Sequence, residues 1–552
     1  MVNCPKTPPH NINTLVESLL YLKLKTNKCD MTDSSIFIRY NMECLIPPNC
    51  SSLTENNGVI EEFNTFTTVF FVQFALVRLI KELLIPLITP VLLTVICCHL
   101  WEVYNDCQRD SKSNLPLPPG GYGFPVFGET LGFLIQGKAF FDKRREKFGT
   151  LYKTHLLGKP TIRVIGVQNV KRILAGENDL VTAQWPTSTK LLLGDGSLTG
   201  SGGNIHNLRK KALFKAFSNT ALEEYTKVVQ SITKDCIEHW CTKRNILAHQ
   251  ESKSLTFEIA CRVLLGIKMN KVEKTELLGH FDTFLSNLFS LPMQIPGLGL
   301  YKGLKARTVL LNKIGECIQK KEKHGSCDAF QDALSLLMDM SGTGRLSVTE
   351  IKDVGLELLF AGHETTASAT VTIILQLTKN KDVVSKIEEE LKSFGLSQSN
   401  YGDLNLEILN KMKYLSNVVK EAIRITPPIG GGYRKVLKTF EIDGYQIPEG
   451  WTVAYSIRDT HELGNELVLN PDKFEPDRWD SLQRRDNEHF LAFGGGRRGC
   501  AGKQFALLIL KIFALEIVRS CQWTISNINP RMKILPVPHP ADDLPATFTR
   551  KD

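Results

Sequence analysis

The sequence predicts a mainly α-helical body with small β-sheets, carried behind an N-terminal transmembrane anchor. Three observations carry that prediction. An uncharged apolar run occupies residues 83–101, stretches of helical periodicity fill most of residues 121–552, and a strand-like interruption between 433 and 457 places Asp443-Gly444 where a hairpin would turn.

Composition narrows the class. With 552 residues, 42% of them hydrophobic and 23% charged, the chain is neither disordered nor collagen-like, nor a multi-spanning membrane protein. The 67 basic against 58 acidic residues give a net charge of +9, mild for this length and without the dense basic stripe of a nucleic-acid binder. It suits an acidic partner or an anionic membrane surface. The 14 cysteines contain no repeated C-x-x-C pair, which argues against a disulfide scaffold or a zinc ribbon.

From the N-terminus, residues 1–80 read as a poorly ordered leader without the cleavage signature of a signal peptide. Asn49-Cys50-Ser51 is a glycosylation sequon that matters only if this leader is lumenal. The run at 66–77 is too short to span a bilayer and reads as an interfacial segment. Residues 81–104 hold the anchor helix: about 19 apolar residues at 1.5 Å each reach ~28 Å, the thickness of a bilayer core. Pro86, Pro90 and the polar stretch 102–112 favour an anchor over a buried core helix. A proline-rich linker at 105–120 follows, its Leu115-Pro116-Leu117-Pro118-Pro119-Gly120 stiffening the spacer before the catalytic body at 121–552.

Within that body, Phe493-Gly494-Gly495-Gly496-Arg497-Arg498-Gly499-Cys500-Ala501-Gly502 precedes an apolar helical run at 505–518. A cysteine at a helix start, beside Arg497, Arg498 and Lys503, is placed to be a thiolate and hence a metal ligand. Two other readings remain. The same glycines satisfy the dinucleotide pattern G-x-G-x-x-G with Glu516 as its acidic residue, but no second parallel strand follows cleanly and paired arginines are unusual there. The bland reading is a buried structural cysteine on a glycine turn.

A second constellation lies in a helical pattern over residues 347–379. Ser347-Val348-Thr349-Glu350 forms a capping box, and apolar flanks on nearly all sides predict burial. Its middle, Ala361-Gly362-His363-Glu364-Thr365-Thr366, is polar, which costs stability in a core unless something satisfies it. Thr365 can bond back to the Ala361 carbonyl and bend the helix, while Gly362 permits close approach of a flat ligand. The third constellation is Lys420-Glu421-Ala422-Ile423-Arg424 with Phe474-Glu475-Pro476-Asp477-Arg478 downstream; Glu421 and Arg424 share a helix face.

Together these resemble the cytochrome P450 family. F-x-x-G-x-R-x-C-x-G, from Phe493 through Gly496, Arg498 and Cys500 to Gly502, is similar to its haem-ligand signature. AGHETT resembles its distal oxygen-binding groove, and the Glu421 and Arg424 pair with Arg478 resembles its E-x-x-R triad. The resemblance implies that Cys500 ligates the iron of haem b, that Arg498 pairs with a haem propionate, and that Glu364 and Thr365 organise proton delivery, with His363 structural. Glu421, Arg424 and Arg478 would be scaffold. Arg209 would meet the other propionate, although many relatives carry Trp four positions earlier where this chain has Ile205.

Longer stretches, among them residues 117–130, 153–164, 431–451 and 455–462, look like the retinoic-acid-hydroxylating branch of that family. The likeness covers roughly four-fifths of the chain and leaves out the first 80 residues. It implies a monooxygenase that hydroxylates and inactivates all-trans-retinoic acid with O₂ and electrons from NADPH, delivered by a separate NADPH–cytochrome P450 reductase. Arg497, Arg498 and Lys503 would steer that acidic partner. Trp185, Phe360, Thr365, Pro428, Ile429, Gly432 and Tyr433 would line an apolar pocket, with Arg163 or Arg434 as anchors for the substrate carboxylate. The expected location is the endoplasmic reticulum membrane, catalytic body toward the cytosol. A sterol, terpenoid or fatty-acid substrate on the same fold, or a haem carrier without turnover, are the alternatives.

Overall fold

The computed structural model describes residues 57–324, 330–339, 346–396, 404–463, 469–481 and 489–551. Its contacts divide the chain into two units, 1–94 and 95–552. The sequon at Asn49 and the leader expectation for residues 1–56 lie outside the described residues.

Helix α1 covers Asn57–Leu79, so a leader expected to lack order is helical along its last third. The run at 66–77 belongs to this helix and is not a separate segment. A π-helical turn, Ile80–Leu84, leads into α2, Ile85–Asp106. Thr68–Asp106, 39 residues, is long and apolar enough to cross a membrane. At 1.5 Å per residue it reaches ~58 Å, well beyond one bilayer core. Two of its hydroxyls are satisfied within the helix, Thr89 donating to the Ile85 carbonyl and Thr94 to that of Pro90, both at 2.7 Å, as an apolar solvent favours.

Beyond Asp106 the proline-rich segment, expected as a stiff spacer, is docked on the body. Gln446, fully buried, accepts the Asp110 N–H at 3.0 Å, gives its own backbone N–H to Pro116 at 3.0 Å, and donates its side-chain amide to the Leu115 carbonyl. Lys153 N–H bonds the Pro119 carbonyl at 2.8 Å. Proline lacks the donor for a regular ladder, so carbonyls carry the docking.

The strands are β1 Leu151–Leu156, β2 Lys159–Val164, β3 Val181–Ala183, β4 Asn245–Leu247, β5 Gly431–Val436, β6 Phe440–Ile442, β7 Tyr445–Ile447, β8 Thr452–Ser456, β9 Cys521–Ile525, β10 Met532–Lys533, β11 His539–Pro540 and β12 Pro545–Arg550. The main sheet runs β1-β2-β8-β5-β3, with β2 and β8 parallel and its other neighbours antiparallel. As predicted, β6 and β7 form a hairpin on Asp443 and Gly444, whose φ values of 49° and 80° suit a two-residue turn.

The helices that matter for the site are α3 Gly203–Ala216, α4 Asn219–Lys243, α5 Ala248–Ile259, α6 Val348–Lys379, α7 Lys413–Ile425 and α8 Lys503–Ser520. α6 starts at the predicted capping box: Ser347 Oγ accepts the Glu350 N–H, and the Glu350 carboxylate takes the Ser347 N–H at 2.9 Å. Both α6 and α8 are buried along most of their length and pack on each other, α6 also against α5. This apolar centre, with Phe257, Phe281, Ile373, Phe513 and Leu515 shielded from solvent, fixes the frame on which polar loops can be held rigid.

Candidate active site

The cysteine loop is set by two glycines with left-handed backbones, Gly494 at φ 66° and Gly496 at φ 59°. A Cβ on Gly496 would lie 2.2 Å from the Leu174 carbonyl oxygen, so the loop can lie against the helix Val167–Ala175 only with glycine there. The Cys500 N–H closes the loop on the Phe493 carbonyl at 2.9 Å, and Gly502 opens α8. Among the described residues no strand feeds this loop, and Glu516 is buried in α8 in a pair with Arg519 at 2.6 Å, so the dinucleotide reading fails.

Cys500 is open on one side, yet the protein mass around it pushes its thiol up, with the Gly502 N–H, Lys210 and Lys503 pulling the other way. The structure thus corrects the expectation of a thiolate favoured by the loop alone: a bound metal ion would have to complete the deprotonation. Of the three cations expected to help, Lys503 pulls the thiol down, and Lys210 joins it. Lys210 Nζ donates to the carbonyls of Arg497 at 2.8 Å and Gly499 at 2.6 Å, clamping the loop from α3.

Arg498 turns inward. Its Nε donates to Glu177 Oε1 at 3.1 Å and its remaining nitrogens to the carbonyls of Ser201 and Leu198 at 2.8 and 3.5 Å. Glu177, buried, also meets Arg434 Nε at 3.1 Å, but that contact is not aligned for a hydrogen bond, and both atoms lack a partner of that kind. Two guanidinium groups, Arg434 buried and Arg498 half-buried, against the Glu177 carboxylate leave positive charge in place for another anion. Arg209 has different company. It donates to the carbonyls of Asp195 and Ser197 at 3.0 Å and to Glu350 at 2.6 Å, whereas Ile205 points to solvent. His206, buried and pushed down to about 4 by desolvation with Arg498 and Lys210 nearby, is the α3 residue that faces the arginine cluster. Nothing in the sequence marked Glu177; Lys210 was visible only as one of a basic run.

The distal helix supplies the opposite wall. α6 is buried at nearly every position from Ile351 to Leu377, but Ala361 is exposed, and Phe360, Gly362 and Thr365 are half-open. An exposed alanine in the middle of a core helix means that the helix borders a space. Thr365 Oγ1 donates to the Ala361 carbonyl at 2.6 Å, as its sequence position predicted. One turn earlier Glu357 accepts the N–H groups of Leu198 and Thr199, so the loop that receives Arg498 also ties to α6. Glu364 faces away, toward α5: burial raises its carboxyl against the pull of Lys253, whose Nζ is 3.7 Å from Oε2. His363 is buried, with Nδ1 at 2.9 Å from Thr256 Oγ1, in keeping with a structural part.

An open cysteine sulfur, an arginine pair short of one anion and an alanine facing a space are together what a haem with its carboxylates requires, so the residues fit that group. Arg434 sits on β5 beside the expected pocket residues. The Gln184 N–H bonds the Tyr433 carbonyl at 3.1 Å, which brings half-buried Trp185 next to Tyr433 and Gly432. Pro428 is half-buried and Ile429 exposed, both in the turn that leads into β5. Arg163 lies elsewhere: buried, 2.6 Å from Asp459 and stacked over Phe141, it is committed to an ion pair and is not a free anchor for a substrate carboxylate. Arg434 is paired with Glu177 but its Nε makes no hydrogen bond there, so it stays with Arg498 in the cation cluster that another anion would complete.

The predicted triad assembles. Glu421, fully buried, receives Arg424 Nε and Nη2 at 2.9 Å, Arg478 Nε at 2.9 Å, Trp479 Nε1 at 3.0 Å and the Glu475 N–H at 3.1 Å. His461 links it to the cysteine loop, one ring nitrogen meeting the Arg424 carbonyl at 3.2 Å and the other accepting the Leu491 N–H at 3.1 Å.

Comparison with known proteins places this arrangement. The family pattern described as Cytochrome P450 matches residues 118–540. Cytochrome P450 26A1 of Gallus gallus is 43% identical over 85% of this chain and 98% of its own length. Cytochrome P450 26B1 of Xenopus tropicalis is 40% identical, covering 87% of this chain and 96% of its own; Cytochrome P450 26C1 of Mus musculus, also 40% identical, covers 81% and 91%. Among solved structures, "Retinoic acid bound cyanobacterial CYP120A1" is similar with a TM-score of 0.72 and 32% identity, over 79% of this chain and 100% of that one.

Proposed function

Since the chain belongs to the cytochrome P450 family, we propose that it is the haem-thiolate monooxygenase that hydroxylates all-trans-retinoic acid and so inactivates it. The observation that carries the substrate is the 32% identity to a protein whose solved structure is described as retinoic acid bound. The apolar and aromatic character of Trp185, Phe360, Pro428, Ile429 and Tyr433 supports it, since a polyene needs such walls.

The family's cofactor is haem b, which when bound supplies activation of O₂ and insertion of one oxygen atom into a C–H bond, with electrons that originate in NADPH. Cys500 would ligate the iron through its sulfur, held at a set height by the Phe493 carbonyl and the Lys210 clamp. Arg498 and Arg434 would take the haem carboxylates, with His206 beside them; Arg209 would brace the loop behind through Asp195, Ser197 and Glu350. Phe493, Gly496 and Gly502 shape the loop. Thr365 Oγ1, its proton given to Ala361, can accept a hydrogen bond from the groove, and Glu364 would hold and pass a proton at its carboxyl. Phe360, Gly432 and their neighbours would orient the chain of the substrate and exclude bulk water.

NADPH–cytochrome P450 reductase would dock on the face with exposed Arg497 and Lys503, while Arg498 is turned away from it. The apolar helix would anchor the protein in the endoplasmic reticulum membrane with the body on the cytosolic side.

The test has two steps. The reduced, carbon-monoxide-treated protein should show the thiolate-ligated absorption band, and Cys500→Ser should abolish it. With reductase present, retinoic acid should drive NADPH consumption and hydroxylated product. An intact band with turnover only on a sterol, terpenoid or fatty acid would overturn the substrate while keeping the chemistry.

A further inference from the structure

Away from the cysteine loop, the C-terminal end of α4 is tied to the small sheet β4-β12-β9. The Phe548 N–H of β12 bonds the Arg244 carbonyl at 2.8 Å, and the Trp240 and Phe548 rings lie 5.3 Å apart. Where β12 pairs with β9, Arg550 stands opposite Cys521, and its guanidinium reaches back to within 3.7 Å of Glu238 on α4. Glu238 and Cys241 are three positions apart and share a helix face. In this way β12 brings Cys241 against Cys521, and the two free thiols meet as a hydrogen-bonded pair.

The two sulfurs are not equivalent. Cys241 is half-buried beside the exposed pair of Arg550 and Glu238, whereas Cys521 is fully buried. Cys521 gives its S–H to the Ile517 carbonyl at 3.2 Å and has the Cys241 sulfur as its other acceptor. The bond from Cys521 pulls the Cys241 thiol down against its burial, and the Arg550 guanidinium adds to that pull. The same bond and burial push the Cys521 thiol up. Cys236, also on α4, is pushed up by burial and by Glu251. A thiol that ionises readily and faces solvent, with a second thiol in contact behind it, is the arrangement of a dithiol that oxidises in two steps.

We propose that Cys241 and Cys521 form a reversible redox site whose oxidant is hydrogen peroxide. The Cys241 thiolate attacks one peroxide oxygen; the O–O bond breaks, the sulfur becomes a sulfenic acid, and the other oxygen leaves as water with the proton that Cys241 gave up. The Cys521 sulfur then attacks the Cys241 sulfur, the S–O bond breaks, and the Cys521 proton departs with the hydroxyl as a second water. Each sulfur has given up one electron, the peroxide has taken two, and a disulfide joins α4 to β9. A thiol reductant reverses the bond by exchange. The disulfide closes a loop of about 280 residues, which takes freedom from the unfolded chain. It also fastens the residue that directly follows α8, the helix opened by the cysteine loop. This site uses no step of the haem chemistry and goes beyond the monooxygenase reading.

The experiment uses the full-length holoprotein with imidazole on the haem iron, so that peroxide is spent on thiols. After equimolar hydrogen peroxide, peptide mapping without reductant should recover the Cys241 peptide linked to the Cys521 peptide, and dithiothreitol should release the two. Cys521→Ser should stop at the first step, with dimedone trapping a sulfenic acid on Cys241; Cys241→Ser should leave Cys521 unoxidised. The carbon-monoxide band of each variant reports that it is folded, and the wild-type mapping needs neither variant. Oxidised wild type should melt several degrees above the reduced protein, a rise absent from both variants. Failure to recover the linked peptide, oxidation of Cys236 ahead of Cys241, or equal melting midpoints for oxidised and reduced wild type would each overturn the proposal.

Discussion

Replacing Glu421 by Gln tests whether the triad is scaffold. The carboxylate sits fully buried between two guanidinium groups and an indole and accepts five hydrogen bonds. Glutamine keeps the volume and one acceptor oxygen. The amide nitrogen at the Oε2 position would confront Arg424 Nε and Trp479 Nε1, both donors, and the buried negative charge that Arg424 and Arg478 share would be gone, leaving Arg478 its pair with half-exposed Glu475. Breaking a buried ion pair from one side costs about 3–5 kcal/mol, because the other charge is left uncompensated. At about 2 °C per kcal/mol, the low end for large domains, the melting midpoint should fall by roughly 6–10 °C. The comparison is Lys386→Ala, which removes an exposed pair with Asp477 and should cost under about 1 kcal/mol. Thermal melts followed both by circular dichroism and by haem absorbance would measure the two. If Glu421→Gln melts no lower than Lys386→Ala, the assignment of the triad to stability is wrong.

Two further outcomes follow from named contacts. Desolvation, with Arg424 nearby, pushes His461 down to about 4 from an ordinary value near 6.5. Protonation is therefore disfavoured in the folded state, so its stabilisation is full above about pH 6.5 and is lost as pH falls toward 4, about 3 kcal/mol in all; denaturant titrations between pH 7 and pH 4, as rough limits set by those values, should show a shallower decline in His461→Gln than in wild type. Lys210→Met removes the clamp on the cysteine loop and a cation near its sulfur. Each lost charge-assisted bond is worth about 1.5–3 kcal/mol, so the variant should bind haem but convert readily to the form without a thiolate ligand, read as loss of the carbon-monoxide band on mild warming; an unchanged conversion rate would refute the clamp.

What the sequence made legible was local. The capping box at Ser347 and Glu350, the Asp443-Gly444 hairpin, the back-bond of Thr365 to Ala361 and the position of Cys500 before α8 all depend on residues within a few positions of one another, where helix and turn geometry leave little choice. The triad was legible because half of it is an i, i+3 pair; Trp479 and the Glu475 N–H were added by the fold. Contacts between distant segments gave no such signal. Gln446 docks residues 110–116 from more than 300 positions away, and nothing in a lone glutamine after a hairpin turn announces it. Glu177 is equally silent, since its partners lie on β5 and on the cysteine loop.

The case of α3 shows how narrow the margin can be. Aligning Ile205 and Arg209 with a tryptophan and an arginine four apart puts both on one line of the helix, and the basic run His206-Asn207-Leu208-Arg209-Lys210-Lys211 allows that register as readily as the next. A shift of one residue turns the helix by 100°, so it exchanges the face toward the cysteine loop for a neighbouring one. Packing chooses. Ile205 is 57% exposed and His206 3%, Arg209 reaches the start of α6 through Glu350, and Lys210, four positions after His206, bonds the loop that carries Cys500. The i, i+4 spacing of the expected pair survives, one residue later, with histidine and lysine in place of the isoleucine and arginine; the burial of His206 and the bonds of Lys210 to the cysteine loop, which no spacing rule reports, bring this pair to the loop.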